Sequence, residues 1–497
     1  MDRELLDAAA LCGHLLGEDS LEVFLARYRR ELFGDEMFAD LFPSGRGRPS
    51  IEASVIATVM VLQAAEHLSD RRATQRLQTD IAWKAAAGLA LTDEAFHPTV
   101  LVLWRNRLRD STDPERIFNA VRGLADASGV LAGRTRRALD STVLDDAVAR
   151  QDTIKMLVSQ IRRVRRLIPE LVGVWVREDN LEGSKPPADW DDPADVDRLV
   201  SELVDDALEL IATAEDLDLT GVQADAIGLL GLIIGQDVEP GDGPGQWRIT
   251  QGTAPDRIVS TVDPESRHTH KTSHAYRDGY KAHVAVEPDT GLITAQDLTP
   301  GNVGDAEAAP DLLTDEPAGT EVLGDSAYGS GDLRAELDKR DMTATIKPPP
   351  LKPAVPGGFT LDDFDIDTDA GTVTCPAGHV VALTPSRTAR FGTRCAGCPL
   401  RARCTKAKGG RVIKLHVHHA LLATARALAT TDAFQDTYRN KRPMVERSIA
   451  WLVRNARRLP YIGVERNQLW LANRCAAVNL KRLINLGLHH SPTGWAI

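Results

Sequence analysis

Residues 136–146, RRALDSTVLDD, carry the reading of this chain. Ala138 to Leu144 is a short apolar and β-branched run broken by one acid, Asp140, the pattern of a buried strand that holds a carboxylate. A second such strand is Glu321 to Leu323, which runs into Gly324-Asp325-Ser-Ala-Tyr328 and so also ends on an acid. Between them, Tyr280 to Val286 alternates, Asp289-Thr-Gly291 supplies a turn and Leu292 to Leu298 returns, which predicts a hairpin. A helix is expected from Asp305 to Thr314, another from Asp332 to Asp341, and a short strand at Thr343 to Ile346 stopped by Pro348, Pro349 and Pro350.

Outward from this centre the chain is helical. Residues 1–130 contain the apolar run Ile51 to His67, started by Pro49 and Ser50, and a following helix from Arg71 to Ala87 capped by Ser69 and Asp70. With Arg71, Arg72 and Arg76 on the second helix, the pair is either a helix-turn-helix lying on DNA or plain helical packing with solvated arginines. Helical periodicity returns from Thr153 to about Ile234, until the Gly/Pro-rich stretch 239–246 ends it, and again from Ala420 to Leu486. The expected division is 1–130 helical and DNA-binding or dimerising, 131–150 first core strand, 151–255 helical insertion, 256–350 core, 351–415 cysteine-rich insertion and 416–490 C-terminal core helices.

Length and charge bound the function. At 497 residues the chain is long enough for about three units with their own cores. Hydrophobic residues make up 43% and charged residues 26%, ordinary for a folded soluble protein. No basic segment with an apolar core opens the chain, and the longest uncharged apolar stretch, Ala226 to Gly235, is far below the ~20 residues of a membrane span. A cytoplasmic protein is expected. The net charge of −12 hides a polarity: residues 381–497 hold 21 lysines and arginines against 4 acids, a balance of +17, which leaves −29 elsewhere. A basic tail on an acidic body either holds a polyanion or docks the two parts of the chain on each other.

Four of the six cysteines, Cys375, Cys395, Cys398 and Cys404, fall in one segment, with Cys395-Ala-Gly-Cys398 the tight knuckle that tetrahedral Zn²⁺ favours. His379 and His416 are alternative ligands. A structural zinc would hold together a small insertion poor in apolar residues.

Strand with Asp140, hairpin, helix, strand with Asp325, helix, strand, then a helix carrying Glu446 is the order of an α/β, ribonuclease H-like mixed-sheet core, here with two insertions. Several stretches together resemble the bacterial insertion-sequence transposases of the D-D-E type. They are Leu-Asp140-Ser-Thr, Asp278-Gly-Tyr-Lys-Ala-His283, Leu292-Ile-Thr-Ala, Thr299-Pro-Gly-Asn302-Val-Gly-Asp305, Leu-Gly-Asp325-Ser-Ala-Tyr-Gly329, and Tyr438 with Arg442-Pro-Met-Val-Glu446.

The resemblance spans roughly Phe33 to Leu486 and implies that Asp140, Asp325 and Glu446 are the catalytic acids. They would hold two Mg²⁺ ions, with Mn²⁺ as substitute, for hydrolysis at the element ends and strand transfer of the 3′-hydroxyls. Asp145 and Asp146 are alternatives for the first acid, and Glu465 for the third. Arg442, one turn before Glu446, would hold a phosphate. The family signature has its tyrosine three positions before the arginine and a lysine seven after the glutamate. Here Tyr438 is four before and position 453 is Val, so Arg454, Arg457 or Arg458 stands in for that cation. Lys281 and His283, on one side of their strand, complete the expected DNA contacts. The implied partner is double-stranded DNA, as terminal inverted repeats and target, bound by a homodimer within the bacterial nucleoid. A catalytically silent DNA-binding protein, a domesticated transposase or repressor, is the alternative.

Overall fold

A computed structural model describes residues 6–42, 51–183, 186–272 and 275–497; the Pro49–Ser50 helix start lies outside these. The N-terminal part contains helices α1 (Leu21–Leu32), α2 (Ala53–Glu66), α3 (Asp70–Thr79), α4 (Ile81–Ala87), α5 (Thr99–Arg109) and α6 (Arg116–Ala127). Where one helix was expected over 71–87 there are two. Asp80 takes an extended ψ of 122°, and its carboxylate caps α4 by accepting from the Ala82 and Trp83 amides.

The central sheet is built from β1 (Arg136–Asp145), then, after an insertion with helices α7 (Thr153–Leu167), α8 (Pro193–Ala214) and α9 (Gly221–Asp237), from β2 (Arg267–Thr272), β3 (Ala275–Val286) and β4 (Ile293–Pro300). Helix α10 (Asp305–Leu312), β5 (Glu321–Gly324), α11 (Gly331–Lys339) and β6 (Thr343–Ile346) complete it. β3 lies antiparallel to β1, β2 and β4; β1, β5 and β6 run parallel. The spatial order β4-β3-β1-β5-β6, with β2 beside the start of β3, is the mixed ribonuclease H-like arrangement that the order of elements predicts.

Each face of the sheet has its own cover. Leu139 and Ala285 pack beneath α10 and α11 with Leu312, Val322, Tyr328 and Leu333. Ala138, Leu144, Tyr280, Ala282, Val284 and Val286 face the other way, into a core that continues without break into the N-terminal helices and the C-terminal ones. Of the C-terminal helices α12 (His419–Ala429), α13 (Asp432–Lys441), α14 (Pro443–Leu452) and α15 (Val464–Asn485), it is α14 and α15 that enter this core, while α12 packs on α11. The long helix expected around Glu446 is broken: α13 stops at Lys441 and α14 restarts with Pro443 at its first position, where a missing N–H costs nothing.

α15 is the spine of this side. Its Asn479 carboxamide takes both the amide and the carbonyl of Ile293 on β4, at 2.9 and 2.8 Å. Its buried Arg474 donates to the carbonyls of Ala64 and Ala65 at the end of α2 and of Trp451, Leu452 and Arg454 at the end of α14. One cation thus satisfies the orphan carbonyls of two helix ends and ties the N-terminal helices to α14. The helical insertion has a separate core, and so does the cysteine-rich one. No described helix is long and apolar enough to cross a membrane.

Candidate active site

Asp140 and Asp325 are brought together by strand register. Parallel pairing of Ala138 with Leu323 sets the residues two further on, Asp140 and Asp325, side by side where β5 ends. Asp140 accepts from the Ser141 amide at 2.9 Å, and Asp325 caps the turn Ser326–Tyr328 by accepting from the Ala327 amide at 2.9 Å. Helix α14 lies across the same face of β1 and β3, and Arg442, at its start, is the hinge of the site. Arg442 is buried. Its Nη2 is 3.1 Å from Asp140 Oδ2, and its Nη1 is 3.9 Å from Oε1 of Glu446, one turn on and largely exposed.

The charges of all three acids bear on Tyr438, and those of Asp140 and Asp325 on Arg442. Burial raises the Asp140 carboxyl above its ordinary range; Arg442 opposes this and Asp325 adds to it. Burial also raises the Tyr438 phenol, against Arg442, with Asp325, Glu446 and Asp140 each contributing. Tyr438 stacks on Phe434, with ring centroids 5.9 Å apart, and carries Lys347 Nζ 4.3 Å from its ring centroid. Arg442 stays charged because its acidic neighbours, Asp140 foremost, outweigh the burial that works against it. Its Nε and Nη1 have no hydrogen-bond partner among the described residues.

The alternative acids lie elsewhere. Asp145 pairs with Arg277 at 2.9 Å, and buried Asp146 accepts from Ser266 Oγ at 2.6 Å. Glu465 is exposed and 3.6 Å from Arg109.

The DNA contacts expected of Lys281 and His283 are not borne out. Pairing of Asp140 with Val284 and of Val143 with Lys281 puts both side chains on the sheet face away from Asp140. Lys281 is spent on Asp305 at 2.9 Å and on the Val303 carbonyl at 2.6 Å. His283 is wholly buried, is 2.9 Å from Thr299 Oγ1 through Nε2, and is held neutral, its pKa lowered to about 4 by that burial. Alternation correctly put the two on one side; long-range packing chose the buried side.

Arg457 and Arg458 donate to carbonyls at the end of β1, those of Val143, Asp146 and Ala147, where the Asp145 amide donates to the Arg457 carbonyl and the Leu459 amide to the Asp145 carbonyl. Arg454 lines a cavity of about 570 Å³ with Arg474, Lys481, Arg482 and Trp451. In the possible helix-turn-helix, Arg76 is tied to Glu66 and Asp80.

Residues 247–480 match the family model described as Transposase DDE domain, and residues 19–107 match Transposase domain (DUF772). The chain is an insertion-sequence DDE transposase. No curated protein and no solved structure matches it. It acts on DNA as a transposase, and enzymes of this family generally use divalent metals such as Mg²⁺.

The four cysteines of the transposase do converge. Cys375, Cys395, Cys398 and Cys404 line one cavity with His379, and burial raises the Cys404 thiol, with the other three cysteines adding. His416 is apart from them, near Asp332. Among the described residues no group of three or more His, Cys, Asp or Glu side chains is arranged to hold a metal, so neither the cysteines nor Asp140, Asp325 and Glu446 form a closed metal site here. The space between the thiols, shared with Phe359, Phe391 and Leu400, is only about 20 Å³.

Three residues with polar roles inside the fold, Asp305 and Tyr328 on the far face of the sheet and Arg474 on α15, were missed from sequence. Asp305 and Tyr328 lie within the quoted motifs, but nothing in their spacing says that they meet. Arg474, in an otherwise apolar helix, was a signal of a buried cation with a specific partner.

Proposed function

We propose that Asp140, Asp325 and Glu446 are the catalytic acids of this transposase and hold its divalent cations. The observation that carries this is the shared neighbourhood of the three around buried Arg442 and Tyr438. The donor set fits a hard cation: oxygen ligands from two adjacent strands and a helix, one of them strained toward protonation by burial. Bound there, Mg²⁺, or Mn²⁺ in its place, would supply Lewis acidity at the scissile phosphodiester and a more acidic attacking water or 3′-hydroxyl.

The chain's own residues do the rest. Arg442 has two buried nitrogens, Nε and Nη1, without a hydrogen bond among the described residues, which leaves donors for phosphate oxygens, and its attraction to Asp140 opposes the burial that raises that carboxyl. Arg454, with Lys481 and Arg482 beside it, offers cations to the DNA backbone. The substrates are double-stranded DNA at the inverted repeats and at the target. Joining two ends calls for two copies of the chain, working at the nucleoid in the bacterial cytoplasm.

The domain division is that stated from sequence, with 1–130 sharing a core with the C-terminal helices. For the cysteine-rich insertion we infer that Cys375, Cys395, Cys398 and Cys404 take one structural Zn²⁺, supported by their spacing and their common cavity.

The test is Asp325→Asn. An asparagine can still cap the 326–328 turn, so folding and end binding should persist while cleavage and joining are lost. Retained cleavage would sink the assignment. Equal binding with no cleavage by either protein would favour the silent DNA-binding alternative.

A further inference from the structure

The last strand of the sheet leads a lysine to the acids. Parallel pairing of Gly324 with Ile346 sets the next residues along β5 and β6, Asp325 and Lys347, side by side, and the Lys347 amide donates to the Gly324 carbonyl at 3.1 Å. Alternation gives the face. Ile346 packs with Leu139, Val322 and Tyr328 beneath α10 and α11, so one residue further Lys347 is on the other side, which carries Asp140 and α14. Its ammonium meets α13 there, with Nζ 4.3 Å from the Tyr438 ring centroid. Tyr438 lies one turn before Arg442, whose amide donates to the Tyr438 carbonyl at 3.0 Å and whose guanidinium pairs with Asp140.

The backbone under this lysine is fixed. Buried Arg334 donates to the Ile346 carbonyl at 2.7 Å, and three prolines, 348 to 350, follow. The turn after Asp325 packs so closely that a Cβ on Gly329 would overlap the Lys347 carbonyl oxygen. The side chain itself is exposed, and among the described residues its ammonium has neither an ion pair nor a hydrogen bond, only the Tyr438 ring. Cations around it are committed: Arg442 to Asp140, Lys441 to Asp289, Arg457 and Arg458 to carbonyls at the end of β1. A cation–π contact at an exposed site is weaker than a charge-assisted hydrogen bond to phosphate, so an arriving phosphate oxygen draws the ammonium off the ring.

We propose that Lys347 is a further catalytic residue of this transposase: when end DNA is bound, its ammonium moves from the Tyr438 ring to a non-bridging oxygen of the scissile phosphate. It forms no covalent bond and transfers no proton. It stabilises the negative charge that gathers on the phosphate oxygens as one bond to phosphorus forms and another breaks. This rests on the reading of Asp140 and Asp325 as the acids of the site.

The experiment uses the full chain, with Lys347→Met and Asp325→Asn beside wild type. The DNA is a duplex carrying the element end, either unmodified or with an uncharged methylphosphonate at the scissile position. Cleavage of the unmodified duplex is timed in MgCl₂, and binding of both duplexes is measured in EDTA across a salt series. Lys347→Met should unfold at the wild-type temperature and cleave about 100-fold more slowly. Its binding should depend less on salt, the log–log slope falling by about 0.9 for one lost phosphate contact. Wild type should prefer the unmodified duplex, and in Lys347→Met that preference should shrink several-fold. Asp325→Asn should bind both duplexes and cleave neither.

A wild-type cleavage rate for Lys347→Met, beside an inert Asp325→Asn, overturns the proposal and leaves the acids standing. Slow cleavage with an undiminished preference for the unmodified duplex also overturns it, since the lysine would then serve the fold or another phosphate. Cleavage by Asp325→Asn removes the assignment of the acids and the proposal with it.

Discussion

Replacing Arg442 by methionine should uncover how this site is balanced before any cation or DNA arrives. The side chains of Arg442 and Asp140 are 5% and 18% exposed, so the pair 3.1 Å apart is shielded from water. Deleting one member of a buried pair costs about 3–5 kcal/mol, mostly because the other is left charged and unsolvated. Burial already holds the Asp140 carboxyl above its ordinary value, and Arg442 is the main force opposing it. A carboxyl raised in the folded state favours the fold while protonated and loses that favour as pH rises through its folded value.

Arg442→Met moves that folded value higher still. Its deficit against wild type should therefore be larger at about pH 8 than at about pH 4, because the cost of a buried ionised Asp140 without its partner falls away as the carboxyl takes up its proton. In the double variant Asp140→Asn with Arg442→Met no buried charge remains, and about 2–3 kcal/mol of the summed single losses should return. The assay is urea unfolding in EDTA, followed by tryptophan fluorescence, for the four proteins of the cycle at both pH values. Additive losses, or an Arg442→Met deficit that does not grow with pH, would refute the ion pair as the organiser of the site.

Three further outcomes are expected. Arg474→Met removes the donor to five carbonyls at two helix ends and should cost about 3–5 kcal/mol, with proteolysis after α14 rising first; unchanged protection there would mean that water replaces the guanidinium fully. Gly279→Ala should cost about 3 kcal/mol or more and deplete soluble protein, because Gly279 has φ +150° and a Cβ would overlap the Leu144 carbonyl oxygen. Native mass spectrometry should find one Zn²⁺ per chain, lost in Cys398→Ser together with protease resistance over 351–415; a metal-free wild type of equal resistance would end the zinc assignment.

The sheet and two of the acids were legible because their signals are local. A strand of four to ten residues shows its apolar run directly, and an acid at its end stands out, which is how Asp140 and Asp325 were found. The hairpin turn at Asp289–Gly291 and the clustered cysteines were equally local. Helix breaks were less so. Asp80 and Pro443 interrupt runs whose apolar spacing continues through them, since periodicity reports burial and not the hydrogen bonds of the backbone.

By itself the sequence determined the order of elements, the alternation that keeps Lys281 and His283 together, and the acids from which a site could be made. Only the tertiary structure decided which acids meet. Strand register sets Asp140 beside Asp325, and the packing of α14 over β1 and β3 brings Arg442 and Glu446 toward Asp140 while Glu465 lies near Arg109. It also decided that Lys281 and His283 face α10 and not the acids. The physical reason is that a strand's period of two fixes which residues share a face, whereas the helix that covers each face comes from distant parts of the chain.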